Sequence, residues 1–157
     1  MTNMIEQKLQ MLQIKLPEAS SPAANYVPFI KTGNLVFISG QLTSWNGSLK
    51  FVGSVGKEFS LEDGYEAARI CGLNILSQLK IACNSDLDQV KQVVKLGGFV
   101  NSSVNFVDQP KVINGASDLM VAVFGDKIGT HTRFAVSVPS LPLGSAVEVD
   151  GVFELNG

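Results

Sequence analysis

The spacing of apolar and polar residues divides the chain into helix-like and strand-like stretches. Ile5, Leu9 and Leu12 recur at helical intervals and predict a short amphipathic helix over residues 4–15. A loop runs from Pro17 to Pro22. Val27 to Ile30 and Leu35 to Ser39 then read as strands joined by a turn at Gly33-Asn34. Asn46-Gly47 has the composition of a two-residue hairpin turn leading into 48–52. The clearest helix begins after Ser60. Its hydroxyl can cap the first turn, where Glu62 and Asp63 complement the positive end of the helix dipole. Leu61, Tyr65, Ala68, Ile75, Leu79 and Ala82 hold one face until about Asn84. A strand is predicted from about Val90 to Val100. A second helix starts near Pro110, with Val112, Ala116, Leu119, Val123 and Phe124 as its buried stripe, and stops at Gly125.

The last segment carries the most chemistry. Phe134, Val136 and Val138 alternate with Arg133, Ala135 and Ser137, which predicts a strand with its apolar set inward and Arg133 pointing away. Val147, Val149 and Phe153 do the same in a following strand, leaving Glu148, Asp150 and Glu154 on the opposite face. Pro139, Pro142 and Gly144 mark the connection. The expectation is therefore a β-hairpin that displays Arg133 and Glu148 on one face. A guanidinium offers a rigid fork suited to a small carboxylate, and a neighbouring carboxylate can position a water. A cross-strand ion pair on a wetted sheet is the plainer reading of the same spacing.

The order strands, helix, strand, helix, hairpin predicts helices packed on one face of a mixed sheet. The other face, half apolar, needs a cover, and copies of the chain can supply it. Arg133 and Glu148 would then lie at or near a subunit interface.

Composition narrows the function classes. A chain of 157 residues, 45% hydrophobic and 17% charged, suffices for one compact core. A formal net charge of -2 and a pI near 5.3 provide no basic footprint for nucleic acid. The apolar runs are too short to span a bilayer. Glu6, Lys8 and Lys15 interrupt any signal-peptide core, so the start reads as mature and cytoplasmic. Cys71 and Cys83 sit 12 residues apart in one predicted helix, roughly 18 Å, which excludes a disulfide and favours buried packing roles.

Other chemistries lack their parts. His131 is the sole histidine, so a two-histidine ribonuclease mechanism is excluded, though one acid–base residue is not. Ser39-Gly40-Gln41 is not a nucleophile elbow. Gly53-Ser54-Val55-Gly56 and Gly97-Gly98 lack a phosphate loop's lysine and read as turns or strand kinks. No residues have metal-ligand spacing. Trp45 reads as a loop-shielding aromatic.

Asn25-Tyr26-Val27-Pro28, Gly33 through Gln41, Arg133 with Leu141-Pro142 beyond it, and Val147-Glu148-Val149 together resemble the Rid family of enamine/imine deaminases. The resemblance runs from about Tyr26 to Glu154, leaving 1–24 as an N-terminal helix and loop extension and 25–157 as a Rid-like domain. It implies a chorismate-mutase-like (ferredoxin-like) α+β fold and a homotrimer whose sheets line a central barrel, with clefts between subunits. The residue matching Arg133 would bind the carboxylate of a 2-imino or 2-enamino acid, and that matching Glu148 would orient the attacking water. Tyr26 would wall the pocket, Gly40 would contribute a backbone donor, and Asn114 matches an asparagine at the start of the second helix. The products would be a 2-oxo acid and ammonia, with no metal or organic cofactor.

This chain departs from the family pattern at Ala135, where cysteine is common, and at Ser117, near a common tyrosine. The segment from Lys127 to His131 is longer than usual. Two readings follow, a hydrolytic deaminase and a non-catalytic trimer that binds small carboxylates. A third, endoribonuclease activity as ascribed to some relatives, conflicts with the acidic pI.

Overall fold

A computed structural model describes residues 3–22 and 24–157. In chain order the elements are α1 (Met4–Met11), β1 (Phe29–Thr32), β2 (Leu35–Gln41), β3 (Ser44–Trp45), β4 (Ser48–Leu49), α2 (Leu61–Ala82), β5 (Val90–Asn101), α3 (Gln109–Gly129), β6 (Thr132–Val138) and β7 (Val147–Leu155). Five strands form one sheet in the order β1-β2-β7-β5-β6, and β3 and β4 make a separate small hairpin. The helices α2 and α3 cover one face. Between them and the sheet lies the core, with Ile75, Leu76, Leu79, Leu96, Ile113, Met120 and Phe153 fully buried.

Local chemistry explains most element boundaries. Ser60 Oγ accepts from the Asp63 N–H and the Asp63 carboxylate accepts from the Ser60 N–H, a capping box that starts α2. Asn46 and Gly47, both at positive φ, turn the β3–β4 hairpin. The stripe Val112, Ala116, Leu119, Val123 and Phe124 is buried as expected, joined by Ile113 and Met120. Gly125 breaks the helix at φ 78°, yet the chain re-enters a helical turn and ends at Gly129, beyond the predicted stop. The N-terminal helix is shorter than predicted: α1 ends at Met11, and Leu12 lies past it. Gly97 and Gly98 form no kink. They lie in regular register in β5, where a Cβ would collide with Phe134 and Asp150 on one side and Ile113 on the other.

The final hairpin is not formed. β6 pairs parallel to β5 at the sheet edge, because α3 carries the chain over the helix face in a β–α–β crossover. β7 inserts between β2 and β5, antiparallel to both. The Pro139–Gly144 connection therefore spans the end of β5 rather than closing a hairpin.

The side of Arg133 changes with it. Arg133 pairs with Leu96, which is fully buried under the helices. Strand alternation then aims Arg133 and Ala135 at the helix side, and Phe134 and Val136 at the open face. Phe134 stacks edge-on against Phe99 there, with the Lys95 ammonium over its ring. Glu148 and Asp150 do lie on the open face, as predicted, since Val147, Val149 and Phe153 are buried. Ile30, Phe37 and Val136 leave that face partly apolar and exposed.

Residues 3–22 wrap along α2. Leu9 is buried, and the Met4 and Ile5 amides donate to the Asp88 carboxylate at 2.8 Å. Ser77 Oγ donates to the Pro17 carbonyl at 2.7 Å and Gln78 Nε2 to that of Ser20 at 2.8 Å. These buried polar groups in an otherwise apolar helix face are satisfied by the strap that covers them. Cys71 and Cys83 are buried free thiols, and burial pushes both up, Cys83 to about 11.

Candidate functional site

The residues predicted to act together occupy two separate places on one chain. Arg133 is at the outer edge of the sheet, half-buried against α3. Its Nη1 donates to Asn114 Oδ1 at 2.8 Å and to Ser117 Oγ at 3.1 Å. Asn114 and Ser117 are three residues apart and so share the α3 face above β6. Both Nη1 hydrogens are thereby used. The Nε–Nη2 edge makes no hydrogen bond to protein, and no carboxylate lies within ion-pair range of Arg133, among the described residues. The cross-strand ion pair is thus absent. What remains is a positive, planar, bidentate edge held by neutral acceptors, an arrangement suited to a carboxylate.

The second place lies on the open face at β2 and β7. Ser39 and Gly40 sit in an irregularity of β2, where pairing with β7 shifts between Ile38 and Gln41. Gly40 presses on Glu148 so closely that an added Cβ would stand 2.2 Å from Glu148 Oε1. Burial, then the charge of Asp150, pushes the Glu148 carboxyl above its ordinary range. Beside it a groove of ≈ 440 Å³ is lined by Tyr26, Pro28, Gly40, Gln41 and Leu42, with Glu18 to Pro22 of the strap as one wall. Tyr26 and Gly40 are therefore in one groove with Glu148 at its margin. Trp45 packs against the core and does not line this groove.

Arg133 and Glu148 do not meet within one chain. β5 separates their strands, and they project from opposite faces of the sheet. His131, weighed from the sequence only as a lone acid–base residue, stands beside Arg133's partners. It immediately precedes β6 and stands on the α3 side, with Nε2 2.9 Å from Ser117 Oγ. The spacing of His131 and Arg133 was the available signal, but it carries meaning only once β6 is known to face α3.

Fold and site define an α+β protein with an anion-ready arginine on the helix side of a sheet edge and a carboxylate, Glu148, on the opposite sheet face. The chain belongs to the YjgF/RidA family: residues 6–155 match the family model described as YjgF/chorismate mutase-like, "putative endoribonuclease". It is 49% identical over 148 residues to Protein TCP17 of Trypanosoma cruzi, covering 94% of this chain and 92% of that protein. The crystal structure of Atu1372 from Agrobacterium tumefaciens, a protein of unknown function, superposes with a TM-score of 0.90 at 44% identity, covering 97% of this chain and 92% of that one. RidA from the Antarctic bacterium Psychrobacter sp. PAMC 21119 shares the fold, at a TM-score of 0.58 and 21% identity over 90% of this chain and 97% of its own. No helix among the described residues is long and apolar enough to cross a membrane, and none of their His, Cys, Asp and Glu side chains group as a metal site.

Proposed function

We propose that this protein is a hydrolytic deaminase of reactive 2-imino and 2-enamino acids, acting as a homotrimer whose sites lie between protomers. The observation that carries the reading is the free Nε–Nη2 edge of Arg133, held by Asn114 and Ser117 with no carboxylate of its own. Because Glu148 faces the other way, a ligand on Arg133 can meet a Glu148 only from a neighbouring copy. The exposed Ile30, Phe37 and Val136 on the open face supply apolar surface for that contact. Light scattering in dilute buffer is expected to report a trimer. A stable monomer would remove the shared site.

In this scheme Arg133 fixes the substrate carboxylate, and Glu148 of the next copy takes a proton from water as its oxygen adds to the imine carbon. Returning that proton to nitrogen gives the carbinolamine. Its hydroxyl proton then passes to nitrogen by the same carboxylate, the C–N bond breaks, and ammonia and the 2-oxo acid are released. Such imines hydrolyse unaided, so positioning and charge complementarity suffice for acceleration. Ammonia release from a freshly generated 2-imino acid, with and without protein, tests the proposal. Binding of small 2-oxo acids without faster release would instead favour the carboxylate-binding module. RNA is the weaker ligand, because Glu18, Glu148 and Asp150 place carboxylates at or beside the groove.

Glu148→Gln separates chemistry from binding. Turnover is expected to fall about a hundredfold, as for loss of a general base, with 2-oxo acid affinity nearly unchanged. Stability should move the opposite way. The native carboxyl holds its proton to higher pH than the unfolded one, so its ionisation costs stability as pH rises through the native pKa. The Gln variant should therefore melt higher than wild type at about pH 7, and the gap should close as pH falls below about 4.5, where both states are protonated.

Gly40→Ala gives a second handle. The added methyl meets the mobile end of Glu148 rather than backbone. Folding should survive while the carboxylate is displaced and turnover drops about tenfold or more. Thermal unfolding and the ammonia assay on the same preparation check both halves.

A further inference from the structure

We infer that His131 is a positioning residue for the Arg133 fork, acting through Ser117; this rests on the reading of Arg133 as a carboxylate site. The hydrogen-bond geometry assigns the protons. His131 Nδ1 lies 2.6 Å from the carbonyl oxygen of Gly129, which can only accept, so Nδ1 carries a hydrogen. In the neutral ring Nε2 is then an acceptor, and Ser117 Oγ, 2.9 Å away, donates to it. Because its hydrogen is committed to His131, Ser117 keeps its lone pairs turned toward Arg133 Nη1, which donates at 3.1 Å. Asn114 Oδ1 takes the other Nη1 hydrogen at 2.8 Å. The chain runs from the Gly129 carbonyl through imidazole and hydroxyl to the guanidinium, and every link has one donor and one acceptor.

Its consequence is directional. With Nη1 tied at both hydrogens, rotation about the Cδ–Nε bond is stopped and the Nε–Nη2 edge points one way. Without His131 the Ser117 hydroxyl is free to rotate, and its hydrogen can face the guanidinium, where it repels. The segment from Lys127 to His131 has a structural purpose on this account. After Gly125 the extra helical turn ends at Gly129, which places that carbonyl under the imidazole.

His131 is the only histidine, so its ring nitrogens give unambiguous signals in a 15N-labelled sample. The expected state is the Nδ1–H tautomer, with Nε2 at a shift typical of a hydrogen-bonded acceptor. Calorimetry with pyruvate as the probe tests the function of the relay. His131→Ala and Ser117→Ala should each raise the pyruvate Kd about fivefold, which corresponds to one neutral hydrogen bond. The double variant should be no worse than either single, since both cut one chain. His131→Gln, whose amide oxygen can still accept from Ser117, should recover most of the affinity. In the imine assay KM should rise while kcat changes less. The Nε2–H tautomer, additive losses, or unchanged affinity in His131→Ala would overturn the inference. If wild-type protein neither binds pyruvate nor accelerates imine hydrolysis, the carboxylate reading fails first and the positioning role falls with it.

Discussion

Arg133→Ala is expected to weaken 2-oxo acid binding and 2-imino acid hydrolysis by a factor of about 30 or more. A desolvated, charge-assisted bidentate pair contributes roughly 2–5 kcal/mol, and each 1.4 kcal/mol is tenfold. Arg133→Lys should rescue little. An ammonium can reach Asn114 or Ser117 but presents no planar edge beyond them. The fold should tolerate the alanine, because Arg133 lies on an edge strand and its partners are neutral. Titration with pyruvate, alongside a melting curve, decides the matter. Unchanged affinity with intact folding would leave the arginine a structural residue and remove the main support for deaminase chemistry.

The largest stability loss is expected from Gly115→Ala. An added Cβ would stand 1.9 Å from the Tyr65 carbonyl oxygen, 2.9 Å from its carbonyl carbon and 3.0 Å from the Arg69 nitrogen. All three are α2 backbone, so no side chain can swing aside and the helices must separate. Overpacking of this kind costs about 1–3 kcal/mol, occasionally more, and exceeds the gain of about 1 kcal/mol from replacing a helical glycine. The Tyr65 hydroxyl, which donates to Asp118 at 2.7 Å across the same helix pair, would be strained as well. A net loss of about 2 kcal/mol would lower Tm by roughly 4–8 °C in a domain of this size. Gly72→Ala is the control, because its Cβ would meet the mobile end of Leu119 at 2.9 Å. Denaturant unfolding of both variants should rank Gly115 well above Gly72. Equal losses would mean that the helix pair yields more easily than its backbone contacts imply. Because Asn114 and Ser117 ride on α3, Gly115→Ala should also weaken pyruvate binding.

Local chemistry made much of this protein legible from its sequence. Ser60 with Asp63 announced α2, Asn46-Gly47 announced the small hairpin, and the Val112-to-Phe124 stripe announced α3, because caps, turns and helical periodicity act over a few residues. The open-face placement of Glu148 followed from strand alternation alone. Motif resemblance selected the family from the same residues.

Strand neighbours were decided only in three dimensions. Two consecutive strands with turn residues between them satisfy a hairpin and a crossover equally well, since alternation is local and pairing is not. Here α3 delivered β6 parallel to β5, and β7 took the slot beside β2. That choice turned Arg133 toward Asn114, Ser117 and His131 and set Glu148 on the opposite face. The alternation that correctly oriented β7 misoriented β6, because an edge strand exposes parts of both its sides and hydrophobicity no longer marks the core. Sequence by itself thus determined the elements, the fold class and the candidate residues. Which of those residues stand together was decided by tertiary structure, through backbone pairing between segments far apart in the chain.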